Sequence, residues 1–162
     1  MEKIDLENID YHEIARCGDT EVISVFLEAG LDPDLRDRRG YTLLMIAAYN
    51  DQPEMVDLLV EYGADVDGRD PAGNTPLMGV CFKGYESLGE HLLACGADPR
   101  ASNNAGATPL IMAAMFRQKG LVEALVEAGA DPEAADANGR TAVDHARGQG
   151  LDEIVGLLEG RR

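Results

Sequence analysis

Apolar residues along the chain recur in pairs four positions apart, as in Met55/Val56 followed by Leu59/Val60. Residues with this spacing lie on one face of a helix, so each such block predicts an amphipathic helix. The same arrangement returns at positions 121–126, two periods further along the chain. A pattern that returns at a fixed interval indicates a stack of repeated structural units.

Glycine and threonine follow the same interval, which is 33 residues. In each unit a glycine stands two residues before a threonine, and a second series of glycines mostly opens a Gly-Ala-Asp triplet. Two independent series with one period establish an internal repeat. The first series is Gly40, Gly73, Gly106 and Gly139 with the paired Thr42, Thr75, Thr108 and Thr141, and the second is Gly30, Gly63, Gly96 and Gly129.

Each unit is predicted to consist of a turn and two helices. A tetrapeptide of turn composition comes first, such as Asp70-Pro71-Ala72-Gly73. Thr75-Pro76 then supplies a hydroxyl that can cap a helix and a proline suited to its first turn. The second helix is expected to end at Gly63 or Gly129 as its C-cap.

Three segments carry a resemblance to a known family. GYTLLMIAAYNDQPEMVDLLVEYGAD, GNTPLMGVCFKGYESLGEHLLACGAD and GATPLIMAAMFRQKGLVEALVEAGAD resemble ankyrin repeats, and those with Thr-Pro-Leu resemble bacterial stand-alone members. The resemblance implies an all-α solenoid, with about five stacked helix-turn-helix units and β-turn fingers. We expect a single domain over residues 1–162, with units at 4–36, 37–69, 70–102, 103–135 and 136–162.

The two outer units are expected to be degenerate caps. The first keeps the apolar register but lacks the turn, and the last adds polar groups, as an end that faces water requires. The apolar positions are Ile9, Ile14, Val22, Ile23, Phe26 and Leu27 in the first unit and Ile154, Val155 and Leu158 in the last, whose polar additions are Asp144, Arg147 and Gln149.

The inner units depart from the family pattern in two ways. The histidine that usually follows Thr-Pro-Leu is replaced by Met45, Met78 and Ile111, so apolar packing must take the place of its hydrogen bond. Unit 70–102 carries Gly79 and Gly89 inside its helices, each of which costs about 0.5–1 kcal/mol relative to alanine. We therefore expect this unit to be the loosest of the inner three.

Charge and composition narrow the class of partner. The formal net charge of −16 disfavours binding to nucleic acid, and no apolar stretch has the length of a membrane helix. The first residues, MEKIDLENID, lack the apolar core of a secretion signal. Cys17, Cys81 and Cys95 show no paired spacing, so reduced thiols and a cytoplasmic location are expected.

No catalytic, cofactor or metal site is expected from the sequence. Phosphate loops, dinucleotide fingerprints and nucleophile elbows are absent, and Asp144-His145 lacks a nucleophile at a recognisable spacing. His91 and Cys95 lie four residues apart on one helix, but two ligands do not make a zinc site. The carboxylates Glu54, Asp57, Glu61, Glu86, Glu90, Glu123 and Glu127 fall on solvent positions of the second helices.

The fold family implies that partners bind to the turns and the exposed side of the first helices. The residues at these positions vary between units and are rich in aromatic residues and arginine, types that are enriched in interfaces. The predicted partner-binding set is Arg36, Arg38, Arg39, Tyr41, Tyr49, Asn50, Arg69, Asn74, Phe82, Lys83, Met115, Phe116, Arg117 and Arg140, with Asn104, Ala107 and Asn138 at further variable positions.

These residues predict a non-catalytic module that binds another protein, and that is monomeric when free. An adaptor is the first interpretation, and an inhibitor or immunity-type protein that occludes a toxin or enzyme site is the alternative. The basic residues also predict a locally positive groove that attracts an acidic segment of the partner. The competing interpretation is that the arginines neutralise nearby aspartates such as Asp34, Asp37 and Asp70.

Overall fold

A computed structural model describes residues 8–160 of the chain. Over this range the protein is built from short helices joined by turns and loops, and its extended contacts are isolated bridges such as Arg36 with Thr42. The helices are α1 Tyr11–Cys17, α2 Thr20–Glu28, α3 Leu43–Tyr49, α4 Pro53–Glu61, α5 Pro76–Lys83, α6 Glu86–Ala94, α7 Pro109–Met115, α8 Lys119–Glu127, α9 Ala142–Gly148 and α10 Asp152–Glu159.

The helices form two layers of a solenoid. The first helices of successive units pack against one another in the order α1, α3, α5, α7 and α9, and each also packs against the second helix of its own unit. The all-α repeat architecture expected from the sequence is therefore confirmed. One helix pair lies in each of the five predicted units, while residues 4–7 of the first unit lie outside the described range.

Each inner unit and the last one begin with the turn that their tetrapeptides predict. In the turn at 37–40, the Gly40 amide donates to the Asp37 carbonyl at 3.0 Å, and Gly40 has φ +84°. The Asp37 carboxylate accepts from the amides of Arg39 and Tyr41 at 2.8 and 2.9 Å. Only glycine adopts that backbone angle readily, which explains why it recurs at this position of every turn.

The repeated threonines start the first helices as predicted. The Thr42 hydroxyl accepts from the Met45 amide at 3.1 Å, and the three later threonines of the series make the same bond. Pro76 occupies the first turn of α5. The second helices end one residue earlier than expected, because Tyr62 is the C-cap of α4 and Gly63 follows it with φ +89°.

The core lies between the two helix layers and extends through all five units. Met45, Met78 and Ile111 are 7%, 0% and 1% exposed, so apolar packing does replace the usual histidine. In the first unit Ile23 is buried, but Val22 is 40% exposed, and its assignment to the apolar register was wrong. Val22 lies on the first unit, which has no preceding unit to cover it in the described chain.

Polar groups of the last unit form hydrogen bonds with one another. Thr141 and Asp144 form a reciprocal capping box at the start of α9, in which the carboxylate accepts from the Thr141 amide at 2.9 Å. His145 Nε2 lies 2.7 Å from Oδ2 of Asp136 in the turn of the same unit. This hydrogen bond, with those from backbone amides, lowers the pKa of Asp136. Local polar bonds thus stabilise the unit that has no neighbour beyond it in the described chain.

The two helix glycines of unit 70–102 have different surroundings. A methyl group at Gly89 would lie 2.2 Å from Cδ2 of the buried Leu121, so this glycine permits close approach of α6 and α8. A methyl group at Gly79 would meet only the ring of Tyr49, at 3.3 Å, on a side chain that is 42% exposed. Gly89 therefore serves packing, whereas Gly79 leaves a partly exposed position empty.

We expect Gly89→Ala to destabilise the protein and Gly79→Ala to stabilise it. The first change overpacks a buried contact, at a cost of about 1–3 kcal/mol. The second gains helix propensity of up to about 1 kcal/mol, because the Tyr49 ring can shift towards solvent. Urea unfolding of both variants measures these effects. Equal destabilisation by the two alanines would contradict the assignment of separate roles.

Candidate functional site

A groove of about 710 Å³ lies on the concave side, at the junction of units 37–69 and 70–102. The turns of these units form one wall, through Tyr41 and Asn74 among others, and the first helices form the floor. Both turns and helices are held by the stacking of the units, so the groove has a rigid frame. Six residues of the predicted partner-binding set line it: Arg39, Tyr41, Tyr49, Asn50, Asn74 and Phe82.

Three rings form what we call the aromatic ridge, which comprises Tyr49, Phe82 and Phe116. The rings of Tyr49 and Phe82 are nearly parallel with centroids 6.2 Å apart, and Phe116 meets Phe82 edge-on at 4.7 Å. Tyr49 and Phe82 are each 42% exposed. The ridge runs across three consecutive units. Tyr49 and Phe82 match at one period and lie at or near the ends of α3 and α5, while Phe116 is the C-cap of α7, one residue past the matching Met115.

Beside the ridge lies a depression that we call the notch, formed at Gly79 between Ile46 and Met112. These three residues occupy the same position in successive units, and all three line the groove. Units 37–69 and 103–135 present the large side chains of Ile46 and Met112 there, while unit 70–102 between them presents no side chain. The notch is therefore a local recess of the floor, and the ring of Tyr49 lies over it, since a methyl group at Gly79 would meet that ring at 3.3 Å.

Two cations lie against aromatic rings at the groove. Nζ of Lys83 is 4.9 Å from the ring centroid of Tyr49 and 5.7 Å from that of Tyr85. The Arg39 guanidinium lies 5.1 Å from the centroid of the Tyr41 ring. Such contacts stabilise the cation over the ring and leave its remaining N–H donors available to a ligand.

Two other predicted arginines instead connect neighbouring turns. Arg36 donates from Nη1 to the carbonyls of Gly40 at 2.8 Å and Arg69 at 2.5 Å. Arg69 repeats this arrangement one unit later, on the carbonyls of Gly73 and Ser102. These guanidinium groups have structural partners, so a role in stacking explains them without a ligand.

Several further members of the predicted set also have partners inside the protein. Asn74 donates to Asp70 within its own turn and accepts from Asn103 in the next unit. Asn50 donates to the Ile46 carbonyl. Arg117 donates to the side chain of Gln149, 3.3 Å away. Met115 is partly buried against the core, Ala107 is buried, and Arg38, Asn104, Asn138 and Arg140 are exposed.

The aspartates of the turns are occupied by backbone amides. Asp70 Oδ1 accepts from the amides of Ala72 and Asn74, both at 2.9 Å, just as Asp37 does in its own turn. Within the described residues, no ion pair joins Arg38 or Arg39 to a carboxylate. The turn aspartates thus cap local amides, and the interpretation that they neutralise these arginines finds no ion pair in its support.

A separate polar cluster lies on the convex side. His91 Nε2 is 2.6 Å from Asp57 Oδ1 and 3.9 Å from Cys95 Sγ. Burial and the nearby charge of Asp57 raise the pKa of the Cys95 thiol. Burial raises the pKa of Cys81 to about 12, and a hydrogen bond to Glu13 raises that of Cys17. None of the three thiols has the lowered pKa of a reactive nucleophile.

The arrangement of the helices defines the class of the protein as a helical repeat solenoid with a concave groove. A family model described as ankyrin repeats (3 copies) matches residues 11–103 and 77–160. The chain therefore belongs to the ankyrin-repeat family. No curated protein matches the sequence significantly. Ankyrin repeats generally serve as protein–protein interaction modules and are typically non-catalytic. Over residues 8–160, the longest apolar helix falls short of what a membrane span requires.

The floor of the groove and one member of the convex cluster were not predicted from the sequence. Gly79 was treated only as a stability position, although its place in the repeat, shared with Ile46 and Met112, marks it as a neighbour of the aromatic ridge. Asp57 was assigned to a solvated face, and it is exposed. Its place one period before Glu90, beside His91, is the signal that could have brought it next to that histidine.

We expect Arg36→Ala and Arg69→Ala each to destabilise the protein by about 0.5–1.5 kcal/mol, because each removes hydrogen bonds to two backbone carbonyls. Arg38→Ala is the matched control, since it removes an exposed arginine from the same turn region, and its effect should stay within about 0.5 kcal/mol. Chemical unfolding measures all three. A loss for Arg38→Ala as large as for the other two would refute the distinction.

Proposed function

We propose that this protein is an adaptor that binds a partner protein through the aromatic ridge and the adjoining notch. The observation that carries the proposal is the exposure of Tyr49 and Phe82, at 42% each, in one continuous row. On a chain with net charge −16, most exposed positions are polar. A row of exposed rings next to a recess is the pattern of an interface centre.

The surroundings of the ridge support burial by a partner. Phe82 contacts both of the other rings, so a ligand that covers it removes apolar surface from water across three units at once. The notch adds a place for one apolar anchor only when the Tyr49 ring, which lies 3.3 Å from the Cβ position of Gly79, shifts towards solvent. Aromatic anchors in pockets contribute most of the energy in interfaces, and the residues around them mainly exclude water.

The cations at the groove favour a partner segment that carries carboxylates. Arg39 and Lys83 lie over rings of the groove, and Arg38, next to Arg39 in the turn, is exposed. On the convex side, by contrast, the exposed positions of the second helices are largely carboxylates. This separation of charge steers an acidic segment to the groove and repels it from the back.

The alternative role, inhibition, uses the same surface and differs in what binding does to the partner. The activity of the captured partner distinguishes the two. An adaptor leaves the partner's own activity intact in the complex, whereas an inhibitor abolishes it at stoichiometric concentration.

We expect Phe82→Ala to weaken partner binding by about 30-fold or more, which corresponds to about 2 kcal/mol at an interface centre. Tyr62→Ala is the matched control, because Tyr62 is a 36% exposed ring at the end of α4 on the convex side. Quantitative affinity purification with wild type and both variants measures the effect. If Tyr62→Ala reduces capture as much as Phe82→Ala does, the ridge is not the binding surface.

We expect Arg39→Glu to slow association with the partner and to weaken the salt dependence of binding. Lys119→Glu is the charge-matched control, because it also replaces a cation by an anion, at the start of α8 on the convex side. Surface plasmon resonance at several salt concentrations measures both rates. Equal association rates for the two variants would show that the groove does not select for acidic partners. That result would leave the role of the aromatic ridge in binding untouched, because Phe82→Ala tests it separately.

A further inference from the structure

The convex cluster of Asp57, His91 and Cys95 combines three donors that metal ions use. One ligand atom from each residue lies within 4.8 Å of the other two. The donors are a carboxylate oxygen, an imidazole nitrogen and a sulfur, a set typical of zinc among biological metals. Asp57 comes from α4, whereas His91 and Cys95 come from α6 and its C-cap, so the cluster spans two units.

The distances between the three donors are near those that one shared ion requires, but do not yet equal them. Tetrahedral zinc with one sulfur, one nitrogen and one oxygen ligand places these atoms roughly 3.3–3.7 Å apart. In the structure, the same atom, His91 Nε2, faces Asp57 Oδ1 at 2.6 Å and Cys95 Sγ at 3.9 Å. Small side-chain rotations that lengthen the first distance and shorten the second would create the required geometry. Both rotations are open to partly exposed side chains.

The site has access to solvent and therefore to the ion. The side chains of His91 and Asp57 are 35% and 57% exposed, and Cys95 is partly buried. A half-open position of this kind leaves room for water as the fourth ligand.

The repeat itself supplies an internal comparison. The positions that match His91 in the neighbouring units hold Leu58 and Ala124, and the position that matches Cys95 in the next unit holds Ala128. Stacking of the second helices therefore does not require a histidine or a cysteine at these places. His91 and Cys95 occur together in unit 70–102, opposite Asp57, whose carboxylate is the third donor.

We propose that Asp57, His91 and Cys95 bind one Zn²⁺ ion, which joins the second helices of units 37–69 and 70–102 on the convex side. His91 would coordinate through Nε2, with its proton on Nδ1. Cys95 would bind as the thiolate, so that each ion bound displaces the thiol proton into solvent. The proposal adds a third ligand to the two seen in the sequence, and it does not depend on the partner-binding surface.

Titration of the reduced, chelator-treated full chain with Co²⁺ tests the site. We expect one equivalent to produce a thiolate-to-cobalt charge-transfer band and the visible bands of tetrahedral Co²⁺, and Zn²⁺ to displace both. Cys95→Ala should abolish the charge-transfer band, and His91→Ala and Asp57→Asn should each weaken binding by about tenfold or more. Both alanines copy residues of neighbouring units, so these variants are expected to fold.

Cys17→Ser is the matched control, because Cys17 is an exposed thiol beside Glu13, in another unit. It should leave the cobalt spectrum unchanged. In a parallel thermal melt, Zn²⁺ should raise the melting temperature of wild type and of Cys17→Ser but not of Cys95→Ala. The proposal is overturned if wild type gives no charge-transfer band, if the band survives in Cys95→Ala, or if Cys17→Ser removes it.

Discussion

Stacking of the first helices is the interaction on which the rest of the structure depends. A unit of two helices of seven to nine residues has no interior of its own, and its apolar face is buried only by the next unit. The residues that are fully buried, such as Leu44, Leu77 and Leu110, therefore recur at the same position of each unit. The contacts between neighbouring units provide most of the stability, and packing does not restrict the residue type at the surface positions of each unit.

Hydrogen bonds between units reinforce this stacking at both ends of the first helices. At the turn end, Arg36 and Arg69 each reach a carbonyl 33 residues away. At the opposite end, Gln52 donates to the Arg16 carbonyl at 3.1 Å and Gln149 to that of Met115 at 2.9 Å. These side chains satisfy carbonyls at the ends of the units that would otherwise lack a protein donor, and so add to the apolar packing between units.

The features that the sequence predicted correctly are those decided within one unit. Turn, cap and helix depend on residues a few positions apart, so the threonines and the turn glycines identified them. The features it missed depend on contacts across a period. Arg36 was predicted to bind a partner because it stands at a variable position near a turn, whereas its acceptors, the carbonyls of Gly40 and Arg69, belong to the next unit. Gly89 looked like a defect until the position of Leu121 explained it.

Unit 70–102 departs from its neighbours on both of its exposed sides. Gly79 and Phe82 shape the concave side, and His91 and Cys95 change the convex side, while Leu77 and Leu92 between them remain fully buried. A substitution at an outward-facing position changes the chemistry of the surface and has little effect on the stability of the stack, because the buried residues of the unit stay the same. The same separation makes the two surfaces experimentally independent. Substitutions in the ridge leave Asp57, His91 and Cys95 in place, and substitutions of these three residues leave the ridge in place, so the two proposals are tested by separate measurements.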